Sequence, residues 1–139
     1  MESNTFNKSE RLCGELRVAQ LFQHGRTVMA YPIRACWTVT AVPPEGAARV
    51  QVLMSVPKKK LRRANRRNRV KRLLRESYRL QKHELLAEVA RRDLFLQIAF
   101  VWIPEEVLPY AAVSVKVKKV LDKILLSLQP HEEHPEISV

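Results

Sequence analysis

No apolar run in this chain approaches the ~20 residues that a membrane-spanning helix requires. The opening MESNTFNKSE is polar and has no apolar centre of the kind a secretory signal carries. Export and membrane insertion are therefore not expected, and the expected compartment is the cytoplasm. Cysteine is scarce: Cys13 and Cys36 are the two, with no CxxC and no close Cys/His cluster. A disulfide framework or a tetrahedral zinc site needs more ligands or tighter spacing, so two reduced thiols are expected. Aromatic residues are only 6% of the chain. The sequence holds no H-x-x-x-H pair, no convincing carboxylate cluster and no nucleophile beside a base. A nuclease with its own catalytic groups is not expected, and neither catalytic nor metal-binding residues are assigned. His131-Glu132-Glu133-His134 has metal-ligand character, but it lies in a proline-flanked polar tail.

What is abundant is positive charge, and it is concentrated. The 139 residues carry 25 Lys+Arg and 14 Asp+Glu, a net charge of +11. Between Val56 and Arg79 lie twelve basic residues and one acid, Glu76; outside that window thirteen bases and thirteen acids cancel. The whole net charge thus belongs to one segment, which points to a polyanion, of which nucleic acid is the commonest. Arginine outnumbers lysine there by eight to four, and a planar guanidinium matches phosphate better than a point charge does. A solvated helix face mixes both signs; this segment does not, and it sits mid-chain between apolar stretches.

Hydropathy patterning places that segment in one domain. Residues 1–10 read as a mobile arm, 11–129 as a single domain and 130–139 as a flexible tail. The spacing predicts a helix over 14–24, with Gly25 as a left-handed terminator. Strand patterns follow over 27–40, divided by Pro32 or placed at an edge by it, and over 49–56, with Pro43 to Gly46 as the turn between. A long helix is expected from Arg62 or Asn65 to Arg91. The nearly all-apolar Leu94–Trp102 reads as a buried central strand, and a last helix is expected over 105–128. The result is a two-layer α+β domain with helices packed on one face of a mainly antiparallel sheet. The strands flanking the basic helix are candidates for a parallel pair joined by it.

At 100° per residue, Val70, Leu73, Leu74, Ser77, Tyr78, Gln81 and Leu85 share about 140° of arc, the face that docks on the sheet. Asn68, Arg72, Arg75 and Arg79 cluster on the opposite side within about 60°, with Arg69 and Lys71 flanking them. This is a comb of guanidinium groups on a stiff support, and side chains ordered in advance lose less entropy on binding. Residues 58–66 lead into the helix N-terminus, where unpaired N–H groups and the helix dipole also favour phosphate.

The run Arg67-Asn68-Arg69-Val70-Lys71-Arg72, followed by Leu73-Leu74-Arg75-Glu76, resembles the signature of the bacterial ribonuclease P protein family. Leu21-Phe22-Gln23-His24-Gly25-Arg26 is similar to that family's element closing the first helix. The resemblance extends from about Lys8 to Leu128. It implies an α-β-β-β-α-β-α fold on a mixed four-stranded sheet, with a left-handed crossover against the usual rule. It also implies a protein subunit that binds the catalytic RNA of ribonuclease P and the 5′ leader of precursor tRNA. The chemistry would lie with that RNA and its magnesium ions, the protein holding no cofactor of its own.

Carried onto this chain, the resemblance implies RNA contacts at Lys58, Lys59, Arg67, Asn68, Arg69, Lys71, Arg72 and Arg75, to which the basic approach and the helix face add Arg66 and Arg79. It implies a leader cleft between the first helix and the sheet with Phe22, and Tyr31, Arg34 and Trp37 as further candidates. Val18 stands where the family has a first phenylalanine, and the approach Lys60-Leu61-Arg62-Arg63 is one residue longer. The competing expectation is a ribosomal-type RNA- or DNA-binding protein. A strand directly after the basic helix, with no second helix at helix-turn-helix spacing, argues against groove reading.

Overall fold

A computed structural model describes residues 10–12, 14–41 and 48–128. The 1–9 arm, Cys13, the turn around Pro43 and Pro44, and the tail with His131 and His134 lie outside those residues. The described elements are α1 (Glu15–His24), β1 (Arg26–Ala30), β2 (Ile33–Thr40), β3 (Val50–Ser55), α2 (Ala64–Gln81), α3 (His83–Arg91), β4 (Phe95–Trp102) and α4 (Tyr110–Ser127). The four strands form one sheet in the order β1-β2-β4-β3. β1 pairs with β2 and β2 with β4 antiparallel, while β3 and β4 are parallel. The expected parallel pair around the basic helix is therefore present. β4 is central, and seven of its eight residues are buried, Gln97 being the exception.

Each strand sends alternate residues to opposite faces. One face presents Val28 and Ala30, Ile33, Ala35 and Trp37, Val50 and Val52, and Leu96, Ile98, Phe100 and Trp102 to the main core under α2, α3 and α4. The other presents Cys36, Ala99 and Leu53 to a smaller cluster under α1, completed by Leu12, Val18 and Leu21.

Helices cover both faces of the sheet rather than the one expected, because α1 packs opposite the other three. Four further details depart from the sequence reading. The long helix breaks at Lys82 into α2 and α3. A rod of 27 or so residues would run about 40 Å, against about 27 Å for an eight-residue strand; the break brings Leu85 and Val89 back over the core. At the junction Lys82 is buried and its Nζ lies 2.7 Å from Glu10 Oε1, also buried. Glu10, placed in a mobile arm by the sequence reading, is thus packed. The neighbouring Leu12 N–H donates to Val52 O at 2.9 Å and covers the outer edge of β3.

Gly25 is extended (φ −77°, ψ 160°) rather than left-handed. It is glycine for want of space: a Cβ there would sit 2.5 Å from Leu21 O and 2.6 Å from Cys36 Sγ. The last helix begins at Tyr110, not Glu105. Pro109 biases Leu108 away from helical geometry, and residues 103–109 form an irregular approach.

Candidate nucleic-acid interface

α2 is anchored by Val70, Leu74, Ser77 and Tyr78, all with essentially no exposure. Tyr78 packs on Phe100 with ring centroids 6.2 Å apart, and burial pushes its hydroxyl well above the ordinary tyrosine range. With that face fixed, Asn65, Arg66, Asn68, Arg69 and Arg72 stand in solvent, while Lys71, Arg75 and Arg79 are partly covered. Asn65, Asn68, Arg69, Arg72 and Leu73 line one shallow depression. Arg66 and Arg69 line another with residues 106–109. Exposed Lys58 and Lys59 precede the helix.

The comb is not uniform. Arg79 is engaged by Glu76, with Nε 3.2 Å from Oε2 and Nη2 2.7 Å from Oε1. This pair holds the Glu76 carboxyl below the usual carboxylate range and spends the charge at the far end of the face. Arg67 turns back: its Nη1 donates to Leu61 O at 2.9 Å and Arg62 O at 2.7 Å, fastening the approach loop to the helix. The free cationic surface is therefore the N-terminal three turns.

Those turns begin unfavourably as a helix. Arg63 occupies the N-cap without a side-chain hydrogen bond, and the first turn contains no acid. Cations at a helix N-terminus oppose the macrodipole, and the unsatisfied N–H groups there prefer an anion. A phosphate bound there would relieve both conditions.

The α1 side of the sheet forms the second surface. In the strand register Met29 and Arg34 are level, on the same face as Cys36 and Ala99. α1 seals Cys36, whose Sγ donates to Leu21 O at 3.2 Å; burial pushes that thiol up from its ordinary range. α1 does not reach Met29, 54% exposed, or Arg34, also exposed. Phe22, on α1, is 42% exposed. Exposed Phe22 on α1 and the exposed Met29–Arg34 pair on the face of the sheet that α1 partly covers are the residues available to a cleft between α1 and the β1–β2 hairpin. Strand alternation pairs Met29 with Arg34 but does not say which face stays open, so sequence reasoning passed over Met29.

Trp37 is not in this cleft. It points to the opposite face and is buried in the main core at 1% exposure. It supports Arg26, whose guanidinium carbon lies 5.4 Å from the ring centroid. Tyr31, 59% exposed, stands on the β1–β2 turn and lines a separate depression with Lys60 and residues 103–106. Among the described residues no three His, Cys, Asp or Glu side chains come together as a metal site. No described helix is long and apolar enough to cross a membrane.

Comparison with known proteins agrees with this geometry. The ribonuclease P family profile matches residues 6–124. A ribonuclease P protein component from Porphyromonas gingivalis is 37% identical over 118 residues, covering 85% of both chains. One from Chlorobium phaeobacteroides is 37% identical over 107 residues, covering 72% of this chain and 73% of its own. The structure of the Staphylococcus aureus RNase P protein superposes with a TM-score of 0.65 at 19% identity, covering 84% of this chain and 96% of that one. The RNase P protein from Thermotoga maritima gives 0.63 at 19% identity, covering 82% and 96%. With more than four-fifths of its length matched by the family profile, the chain belongs to the ribonuclease P protein family.

Proposed function

We propose that this chain is the RNA-binding subunit of ribonuclease P, acting in the cytoplasm in removal of the 5′ leader from precursor tRNA. The observation that carries this reading is the exposed face of α2. Asn68, Arg69 and Arg72 project from a helix whose other face is locked in the core by Val70, Leu74 and Tyr78. This face grips the RNA subunit, assisted by Lys58, Lys59, Arg66, Lys71 and Arg75. Arg67 acts by holding the loop, and Arg79 is tempered by Glu76. The cleft bordered by Phe22 and Arg34 takes the single-stranded leader, a base resting on the ring and a phosphate meeting the guanidinium.

The reaction itself is placed in the RNA. Guanidinium and amide groups bind phosphate but do not move protons at neutral pH. We assign magnesium to the RNA as well, because a cationic face repels a divalent ion and its exposed oxygens are the neutral amides of Asn65 and Asn68 rather than carboxylates. The test is reconstitution with a bacterial ribonuclease P RNA and 5′-labelled precursor tRNA at low magnesium. Cleavage at the mature 5′ end is expected only with protein and RNA together. Cleavage by the protein alone, or binding to the RNA without any gain in cleavage, contradicts the proposal.

A further inference from the structure

Away from α2 and the cleft, the last helix carries a third set of cations. The buried Val113, Val117, Val120, Leu121 and Ile124 define the face of α4 that meets the sheet. Ser114 lies on one flank, where its carbonyl and hydroxyl oxygens accept hydrogen bonds from Gln81 Nε2 of α2 at 3.1 and 3.3 Å. Lys116, Lys119 and Lys123 fall within about 60° of one another on the opposite flank. Lys123 Nζ donates to Met29 O at 3.5 Å, so this flank stands beside β1, the edge strand of the sheet.

Register extends the set. Arg26 is level with Trp37 and Ile98, towards the end of β4 that follows α3, and Ala30 is level with Ile33 and Trp102 at its other end. α4 runs from Ser114, bonded to Gln81 at the end of α2, to Lys123 beside Met29, so β1 and α4 both run away from the α2–α3 junction. The three strand residues from Met29 back to Arg26 and the seven helix residues from Lys123 back to Lys116 each span about 10 Å. Arg26 therefore comes level with Lys116. Neither β1 nor β2 contains an acid. On α4, Asp122 is engaged by Lys118 on another side, 3.3 Å away. Among the described residues none of the three lysines has an acidic partner.

We propose that this flank is a second phosphate track for single-stranded RNA. The leader leaves the cleft at Arg34 and Met29, crosses the β1 edge and lays its backbone along Arg26, Lys116, Lys119 and Lys123. The proposal rests on the leader-binding reading above. The track turns over the rim of a single strand, which a flexible single strand can follow and a stiff duplex cannot. Lysine, a point charge on a mobile stem, suits contact with phosphates regardless of sequence. The comb on α2 faces elsewhere, with the body of α4 between the two.

The test uses the reconstituted holoenzyme and three ligands: precursor tRNA with a long leader, precursor with a short leader, and mature tRNA. The K116Q/K119Q/K123Q variant is expected to lose about tenfold in affinity for the long-leader precursor at low salt, with the salt slope reduced by about 2. Affinity for the other two ligands is expected to stay unchanged. The single variant K119E, at an exposed position, should show the same selectivity even if the triple variant folds poorly. Equal losses for all three ligands, no loss, or a loss of RNA-subunit affinity instead would each overturn the track. Failure of the wild-type holoenzyme to cleave precursor would instead overturn the functional reading beneath it.

Discussion

On one face of the sheet three helices bury Trp37, Leu96, Ile98, Phe100 and Trp102. On the other, the ten-residue α1 covers Cys36 and Ala99 and leaves Met29 and Arg34 in water. The fully covered face is closed to solvent, yet it fixes the outer surface of α2, so the arginines proposed to meet RNA have little left to order. The half-covered face works the other way: what α1 leaves bare is the surface proposed for the leader. The same sheet thus supports one proposed site by complete packing and the other by incomplete packing.

Five substitutions separate these roles. The largest stability loss is expected for Leu74→Ala, about 2–5 kcal/mol from lost burial and the cavity left behind. Arg72→Ala, two residues away, should stay within about 0.5 kcal/mol of wild type; a urea titration compares them. Gly25→Ala should cost about 1–3 kcal/mol, because the new Cβ collides with Leu21 O and Cys36 Sγ and lifts α1 from the sheet. A thermal melt of this variant reads the effect.

Phe22→Ala should barely change stability but weaken leader binding by about 1–3 kcal/mol, seen as a greater loss for precursor than for mature tRNA. Equal loss for both would assign Phe22 to the packing of α1. The smallest effect is expected for Glu76→Gln, within about 0.5 kcal/mol because the pair is only partly covered and solvent screens it. Since Arg79 lowers the Glu76 pKa, this contribution is present above the ordinary carboxylate range and fades as pH falls through the lowered value. The pH dependence of unfolding should accordingly lose a small acid-side component, while RNA affinity rises as Arg79 is released.

Local pattern made much of this legible. The apolar run of β4 announced a central strand, and the wheel of α2 separated Val70, Leu74 and Tyr78 from Asn68 and Arg72 before any coordinates. Contacts distant in sequence were not legible. The helical period continues through Lys82, because Leu85 keeps the spacing of Leu74 and Tyr78. The pairing of Lys82 with Glu10, 72 residues away, carries no local signal. Trp37 and Arg34 differ for a related reason. Alternation sorts β2 into two sets but is silent on which set three helices will cover and which one helix will half expose. Glycine at position 25 marked a helix end correctly but for a different cause: the close approach of Cys36, eleven residues on, rather than a left-handed turn.

The central claim is that the outer face of α2 is the electrostatic grip on the RNA subunit. Its most direct test is the salt dependence of affinity for ribonuclease P RNA, wild type against R72A/R75A, with melting curves confirming the fold. The account predicts weaker binding and a slope shallower by about 1.5–2, the loss of two phosphate contacts. An unchanged slope with intact folding would contradict it and place the RNA on another face.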